Sequence, residues 1–422
     1  MPPNAKDCAK ISHEIESWRA ENIIDSRLAN LLLERYSPHP SGSWHITAIL
    51  TMGAVLVGVG ILLFVGSNWN VLSATTKLCA AFGSMLAFYF YGWKFGFEPG
   101  KRPRLGSALM LTGTIIYGAA IWLTAQLFHM DLTIENGALL WGLGTLGIAL
   151  ATRSTAQCVL FALVAALWAG LCQESHWWGS ASQQLPLLLR LLASLGASTS
   201  LSYFVRSKSG IAVGVGATSI ALLGTGLAMN APFVLLPFGI CLFAFYLVLK
   251  NVWEPAARAF MYGGAANAIM GMLLMTFLKS YDETGATCTA QIALTVAATI
   301  LTLTAARLRP RFRWEALGAA IVAVVPLAIY AIPVKSVAVF GLNAALILAV
   351  IGAIIAGQGR LKQPGLINMA IAGFVIEVLC RYFDFYFTMF DRSMAFTLGG
   401  LILLGAGAMV ERGRRKLLER IA

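Results

Sequence analysis

Two groups of polar and charged residues interrupt a chain that is otherwise strongly apolar. The first follows a long apolar run and combines an amide, an imidazole and two carboxylates, in Gln126, His129, Asp131 and Glu135. Gln126 and His129 are three residues apart, which predicts that both lie on one face of a helix. A histidine can carry a proton near neutral pH, and a nearby carboxylate can exchange that proton. The group therefore predicts either an outward-facing polar pocket for a ligand or proton, or a polar helix end that faces water.

The second group lies in another apolar run, near the C-terminus. Glu377, Arg381 and Asp384 follow the spacing i, i+4, i+7 of one helix face, and glutamate before arginine is the favourable order for an ion pair. Arg190 has a similar predicted depth in a separate run. Ionisable side chains within a bilayer usually face the protein interior, but long cationic ones can also reach the lipid headgroups. Both interpretations stay open. The predicted polar pocket comprises Gln126, His129, Asp131, Glu135, Arg190, Glu377, Arg381 and Asp384.

The composition explains why these residues stand out. Of the 422 residues, 58% are hydrophobic and only 12% are charged, whereas a soluble domain has about a quarter charged residues. Because backbone groups cannot stay unpaired in lipid, apolar runs of roughly 20 residues must be helical. The runs are too long and too evenly apolar for barrel strands, which alternate over about ten residues. The sequence predicts an all-α, polytopic integral membrane bundle.

Fourteen apolar runs are candidate membrane helices. They are 46–66, 75–93, 105–125, 136–152, 155–173, 185–205, 209–229, 232–250, 257–278, 286–306, 315–332, 336–356, 365–384 and 393–411. Three regions follow: a cytoplasmic two-helix extension at 1–45, the bundle at 46–411 and a basic tail at 412–422. Pro237 and Pro326 lie inside predicted spans, where proline is expected to kink a helix.

The charges predict the orientation of the bundle. Basic residues gather in alternate loops, as expected for loops on the cytoplasmic side. These residues are Lys94, Lys101, Arg102, Arg104, Arg153, Arg206, Lys208, Lys250, Arg258, Arg307, Arg309, Arg311, Arg313, Arg360, Lys362, Arg412, Arg414, Arg415, Lys416 and Arg420. The pattern places both termini in the cytoplasm and the protein in a bacterial inner membrane. The net charge of +12 is explained in this way, and we predict no nucleic-acid partner, because no basic patch with interleaved aromatics lies outside the spans.

The glycine motifs indicate helix packing rather than cofactor binding. Gly142, Gly144 and Gly147 satisfy G-x-G-x-x-G, but they lie in an apolar run with no preceding strand. Gly210 and Gly214 form a G-x-x-x-G pair, which predicts packing between helices of one chain rather than dimerisation. The sequence has no C-x-x-C, H-E-x-x-H, G-x-S-x-G or P-loop motif. We therefore predict no catalytic residue, metal or cofactor.

Several short segments resemble a known family. The stretch from Ala125 to His129, then Trp141, then Arg153 and Ser154, is similar to the bacterial membrane family called domain of unknown function 2157. Further similar positions are Trp18, Ile23, Ile24, Leu32, Leu33, Tyr36, Asn68, Trp69, Arg381, Tyr382, Phe383, Asp384, Glu411 and Arg412. The resemblance covers both ends and the first four spans. It implies a polytopic inner-membrane protein and brings no established activity.

Three functions fit these observations. The leading hypothesis is a transporter or carrier of a small or lipid-like substrate, based on the ionisable residues inside spans. The second is a non-enzymatic sensor or assembly factor that recruits a cytoplasmic protein partner through residues 1–45. The third is an enzyme acting on a lipid-linked substrate at the outer face, with His129 and either Asp131 or Glu135 as acid and base. Overall the sequence favours a protein that is not an enzyme and whose main partner is the lipid bilayer.

Overall fold

The computed structural model describes most of the central part of the chain. The described ranges are 14–19, 73–97, 103–171, 181–228, 234–250, 252–281, 289–359 and 361–389, with a few short stretches between 21 and 60. Every regular element within these ranges is helical, and no strand occurs among them. Most of the N-terminal extension and all of the basic tail fall outside them, so the three predicted regions stay predictions.

Twelve helices account for nearly all of the described residues. They are α1 (Ala74–Phe97), α2 (Pro103–Leu127), α3 (Ile134–Thr152), α4 (Thr155–Leu171), α5 (Ala181–Val205), α6 (Lys208–Ala228), α7 (Leu235–Leu249), α8 (Glu254–Tyr281), α9 (Thr289–Leu308), α10 (Arg313–Tyr330), α11 (Lys335–Gln358) and α12 (Pro364–Met389). A 3-10 turn, Pro310–Phe312, precedes α10. Each helix coincides within a few residues with one apolar run, from the second to the thirteenth. The run at 46–66 lies largely, and the run at 393–411 wholly, outside the described ranges.

The length and composition of these helices fit a membrane protein. Within the described residues, nine helices are long and apolar enough to cross a bilayer, namely α2, α3, α5, α6 and α8 to α12. Two further apolar helices, α4 and α7, are shorter. The all-α polytopic membrane bundle predicted from the sequence is confirmed. The total of fourteen spans stays a prediction.

The chain divides into two compact units, Met1–Asp131 and Leu132–Ala422. In the first unit, α1 and α2 pair closely. A Cβ added at Gly106 would overlap the backbone of Gly96, so the two helices approach each other through small residues. The hydroxyl of Tyr89 on α1 donates to the hydroxyl of Thr114 on α2 at 3.2 Å. This hairpin ends at the turn that carries His129.

The second unit is built around α7. Most of its 15 residues are buried, and it packs on α8, α9 and α10. At 1.5 Å per residue α7 is about 22 Å long, shorter than a hydrocarbon core of about 30 Å. A Cβ added at Gly239 would lie 2.6 Å from the carbonyl oxygen of Gly264 on α8, so only glycine permits this approach. The short, buried α7 therefore contacts protein along most of its surface.

Two predictions concerned prolines and glycines within the apolar runs. Pro237 lies in the first turn of α7, which begins at Leu235. Proline at that position removes no helical hydrogen bond. Pro326 does lie inside a helix, α10. The internal packing of Gly210 and Gly214 is confirmed: a Cβ at either would lie 3.1 Å from a side chain of α4 or α5.

The loops that follow α3, α5, α7, α9 and α11 lie at one end of the second unit. Contacts across these loops are the Arg153 guanidinium over the Phe204 ring at 5.0 Å, the Tyr203 and Trp253 rings at 5.3 Å, Lys250 over the Phe312 ring at 4.8 Å, Lys250 Nζ to the Leu361 oxygen at 3.1 Å, and Arg309 to the Val248 oxygen at 3.1 Å. We call this the basic end, defined by Arg153, Arg206, Lys250, Arg309, Arg311, Arg313 and Lys362. The alternate loops rich in cations thus share one end, and its cytoplasmic location stays a prediction.

Candidate functional site

The turn after α2 has a different backbone from the one predicted. α2 ends at Leu127, and His129 has a left-handed φ of 53°. The amide of Met130 donates to the Ala125 oxygen at 2.9 Å, and the amide of His129 donates to the Gln126 oxygen at 3.5 Å. These two hydrogen bonds form a Schellman C-cap, whose left-handed residue is usually glycine. His129 therefore terminates the helix, and the prediction that it shares a helix face with Gln126 is wrong.

The side chains of this turn are exposed. Gln126, His129 and Asp131 are all exposed residues, and none of their side chains has a hydrogen bond or ion pair within the described ranges. Exposed polar groups at a helix end need no protein partner, because water satisfies them. The two interpretations of this turn stay predictions.

Glu135 and Arg190 belong to the second unit and face each other. Glu135 lies in the first turn of α3, where the Thr133 hydroxyl caps the helix by accepting from the amide of Asn136. A guanidinium nitrogen of Arg190 on α5 lies 3.7 Å from a Glu135 oxygen, with side chains 42% and 35% exposed. Ion pairs this exposed contribute little to stability. The sequence did not predict this pair.

A second pair lies on α12 and is much more deeply buried. The Nε of Arg381 donates to Oε1 of Glu377 at 3.0 Å, and only 5% of the Glu377 side chain is exposed. The pair is buried because α12 packs on α8 and α11. The ion pair predicted from the i, i+4 spacing is present. Asp384 lies on the same helix, but its side chain is outside the described part of the chain.

Asn343 of α11 completes this group, and the sequence analysis missed it. Its Oδ1 accepts from the Nε of Arg381 at 3.2 Å, across the α11–α12 contact. A single amide within a long apolar run was the available signal. The second oxygen of Glu377, Oε2, is buried and has no hydrogen-bond partner among the described residues. We call Glu377, Arg381 and Asn343 the buried cluster.

The described residues of the predicted pocket lie in three places along the chain. The turn after α2 carries Gln126, His129 and Asp131, the ion pair of Glu135 and Arg190 joins α3 and α5, and the buried cluster lies on α11 and α12. That they share one pocket stays a prediction. Arg190 has Glu135 as an ion-pair partner, and its depth relative to Glu377 stays a prediction. In the described ranges, no group of three or more His, Cys, Asp or Glu side chains could hold a metal ion.

The buried cluster has the most distinctive chemistry of the three. One guanidinium bridges a carboxylate and an amide, so the group is nearly neutral while offering a free carboxylate oxygen. An ionised carboxylate accepts hydrogen bonds at both oxygens. The open oxygen can therefore accept a hydrogen bond from a hydroxyl, an amide or an ammonium group that enters the bundle.

Comparison with known proteins supports the resemblance given above. Residues 16–158 match the model of a family described as predicted membrane protein (DUF2157). The resemblance to DUF2157 is confirmed. The match includes the turn after α2 and Glu135 but ends before Arg190 and the buried cluster. No curated protein and no solved structure matched the chain. The DUF2157 description supports a membrane protein and names no activity.

Proposed function

We propose that this membrane protein is a transporter or carrier of a small or lipid-like substrate, and that the buried cluster is part of its binding site. The observation that carries the proposal is the Oε2 atom of Glu377, which is buried in a helix apolar enough to span a membrane and lacks a hydrogen-bond partner in the described ranges.

A charged side chain inside a bilayer is energetically unfavourable. On insertion scales a charged residue at the centre of a membrane helix costs roughly 2.5–3.5 kcal/mol. The 3.0 Å ion pair with Arg381 and the amide of Asn343 offset part of this cost, but they leave one carboxylate oxygen unsatisfied. Ionisable residues in such positions face the interior of the bundle and typically mark the path of a substrate or proton.

The chemistry of the cluster suggests the class of substrate. The guanidinium and carboxylate neutralise each other, so the site does not strongly favour a net anion or a net cation. The open oxygen of Glu377 selects a hydrogen-bond donor. A neutral or zwitterionic molecule with hydroxyl, amide or amino groups fits these properties, and a lipid headgroup of that kind is included.

The test compares two variants that each lose one glutamate charge. Glu377→Gln keeps the shape of the buried side chain, and Glu254→Gln is the control, because Glu254 pairs with Arg258 at i, i+4 on the exposed surface of α8. Wild type and both variants are expressed in a bacterial strain lacking the chain, and metabolites and lipids of cells and medium are measured by mass spectrometry. We expect at least one compound whose distribution follows wild type and Glu254→Gln but not Glu377→Gln.

Two controls make the result decisive. Thermal unfolding of purified Glu377→Gln must show a folded protein, and counterflow of the identified compound in proteoliposomes must depend on Glu377. Equal distributions for wild type and folded Glu377→Gln would remove the buried cluster from transport. Equal distributions for wild type and empty vector would contradict the carrier function itself.

A further inference from the structure

The basic end of the second unit has aromatic side chains beneath and beside its cations. The guanidinium of Arg206 lies 5.3 Å from the centre of the Tyr203 ring, and the Tyr203 ring packs edge-on against Trp253 in the loop after α7. Cation–aromatic contacts of this kind hold basic groups at defined positions. The end is therefore a set of loops with fixed geometry.

Lys250 and Arg309 connect the loops at this end through hydrogen bonds to backbone oxygens. Lys250 donates to the Leu361 oxygen and Arg309 donates to the Val248 oxygen, so both use their charge on backbone carbonyls. Desolvation lowers the pKa of Lys250, as does nearby Arg311, while Glu315 and Glu254 act in the opposite direction. These two cations are structural, and a ligand would have to meet others.

Arg311 and Arg313 are two exposed cations at the same end. They flank Phe312, whose ring is buried under Lys250, and both arginines are exposed. Arg311 lies over the Phe312 ring at 5.9 Å. The side chain of Arg313 has no hydrogen bond or ion pair in the described part of the chain. Because the Phe312 ring is buried, it fixes the backbone between Arg311 and Arg313 at the start of α10.

Exposed apolar side chains border the same segment. Trp314, immediately after Arg313, is 69% exposed, and Leu308, at the end of α9, is 61% exposed. Tryptophan concentrates where hydrocarbon meets headgroups, and cations beside it meet the phosphates. A free phosphate would need no apolar neighbours, whereas a phospholipid presents a phosphate and an acyl chain together.

We propose that Arg311, Arg313 and Trp314 form a binding site for an anionic phospholipid, with the arginines on the phosphate group and the indole along the acyl chain. The site is separate from the buried cluster and does not depend on transport. Its occupant is identified by charge complementarity and by the apolar border. If the predicted orientation holds, the lipid belongs to the inner leaflet.

The test uses the full-length chain in a neutral detergent and native mass spectrometry. The probe is an equal mixture of phosphatidylglycerol and phosphatidylcholine with identical acyl chains. We expect wild type to bind phosphatidylglycerol preferentially. Each basic residue at an anionic membrane surface contributes about fivefold, so Arg311→Gln with Arg313→Gln should reduce the preference by roughly 25-fold.

A matched double variant separates a local site from general attraction. Lys208→Gln with Lys362→Gln removes the same charge from exposed positions at the same end. If the arginines form a local site, this variant should lose less of the preference than Arg311→Gln with Arg313→Gln. Equal losses in both double variants would overturn the site. So would displacement of phosphatidylglycerol by inorganic phosphate, because the acyl contact would then be irrelevant. If the arginine double variant unfolds, the single variants Arg311→Gln and Arg313→Gln replace it, and an unchanged preference in both, with the protein folded, would also overturn the site.

Discussion

Two Glu–Arg pairs in the second unit have the same sequence spacing and opposite environments. Glu254 and Arg258 of α8 lie 3.4 Å apart at the surface, with side chains 64% and 50% exposed. Glu377 and Arg381 of α12 lie 3.0 Å apart, and the corresponding fractions are 5% and 24%. Both pairs are favourable i, i+4 arrangements on a helix. Spacing therefore predicts the contact between the two side chains, while burial decides how much the contact contributes to stability.

The largest effect is expected from removing the buried cation. Arg381→Ala leaves the Glu377 carboxylate buried without its counter-ion, and breaking a buried pair in this way typically costs about 3–5 kcal/mol. We expect the free energy of unfolding to fall by about that amount in a titration with sodium dodecyl sulfate in mixed micelles.

The double variant Glu377→Gln with Arg381→Ala provides the control for this prediction. Because it removes both charges, it should be more stable than Arg381→Ala alone by at least about 1 kcal/mol. A double variant less stable than Arg381→Ala would contradict the claim that an uncompensated charge causes the loss.

A smaller effect is expected at Asn343, whose side chain accepts a hydrogen bond from Arg381 of the buried pair. Asn343→Leu keeps the volume of the side chain and removes the acceptor for Arg381. Hydrogen bonds to charged groups contribute about 1.5–3 kcal/mol, and sharing of the Arg381 Nε–H with Glu377 favours the lower value. We expect a loss near 1.5 kcal/mol in the same titration.

A double-mutant cycle tests whether this loss acts through Arg381. In an Arg381→Ala background the guanidinium is absent, so Asn343→Leu should change the free energy of unfolding by less than about 0.5 kcal/mol. An equal loss in both backgrounds would assign the effect of Asn343 to packing between α11 and α12.

The sequence predicted the helices well because their signal is physical and local. A run of about 20 apolar residues can satisfy its backbone in lipid only as a helix, and twelve predicted runs appear as helices in the described ranges. The i, i+4 pair of Glu377 and Arg381 was predictable for the same reason. Both signals need only residues that are close in sequence.

The rest of the site depends on which helices are neighbours, and single-sequence patterns do not contain that information. Arg190 pairs with Glu135 because α5 packs on α3. Asn343 contributes through the contact between α11 and α12. His129 lies outside the helix, because α2 ends at Leu127 and His129 itself is the left-handed cap residue. These outcomes follow from tertiary packing and backbone geometry.

The smallest effect is expected at the surface pair of Glu254 and Arg258. Arg258→Ala should lower the free energy of unfolding by only about 0.3–0.5 kcal/mol, because water screens both partners. That loss should shrink further between 0.01 M and 1 M salt, where the Debye length falls from about 30 Å to about 3 Å. The loss from Arg381→Ala should not change over the same range, since buried charges are screened much less. The measurement is the unfolding titration of both variants at the two salt concentrations. Equal salt dependence would mean that ions reach the Glu377 pair, and the contrast between the two pairs would then have a cause other than burial.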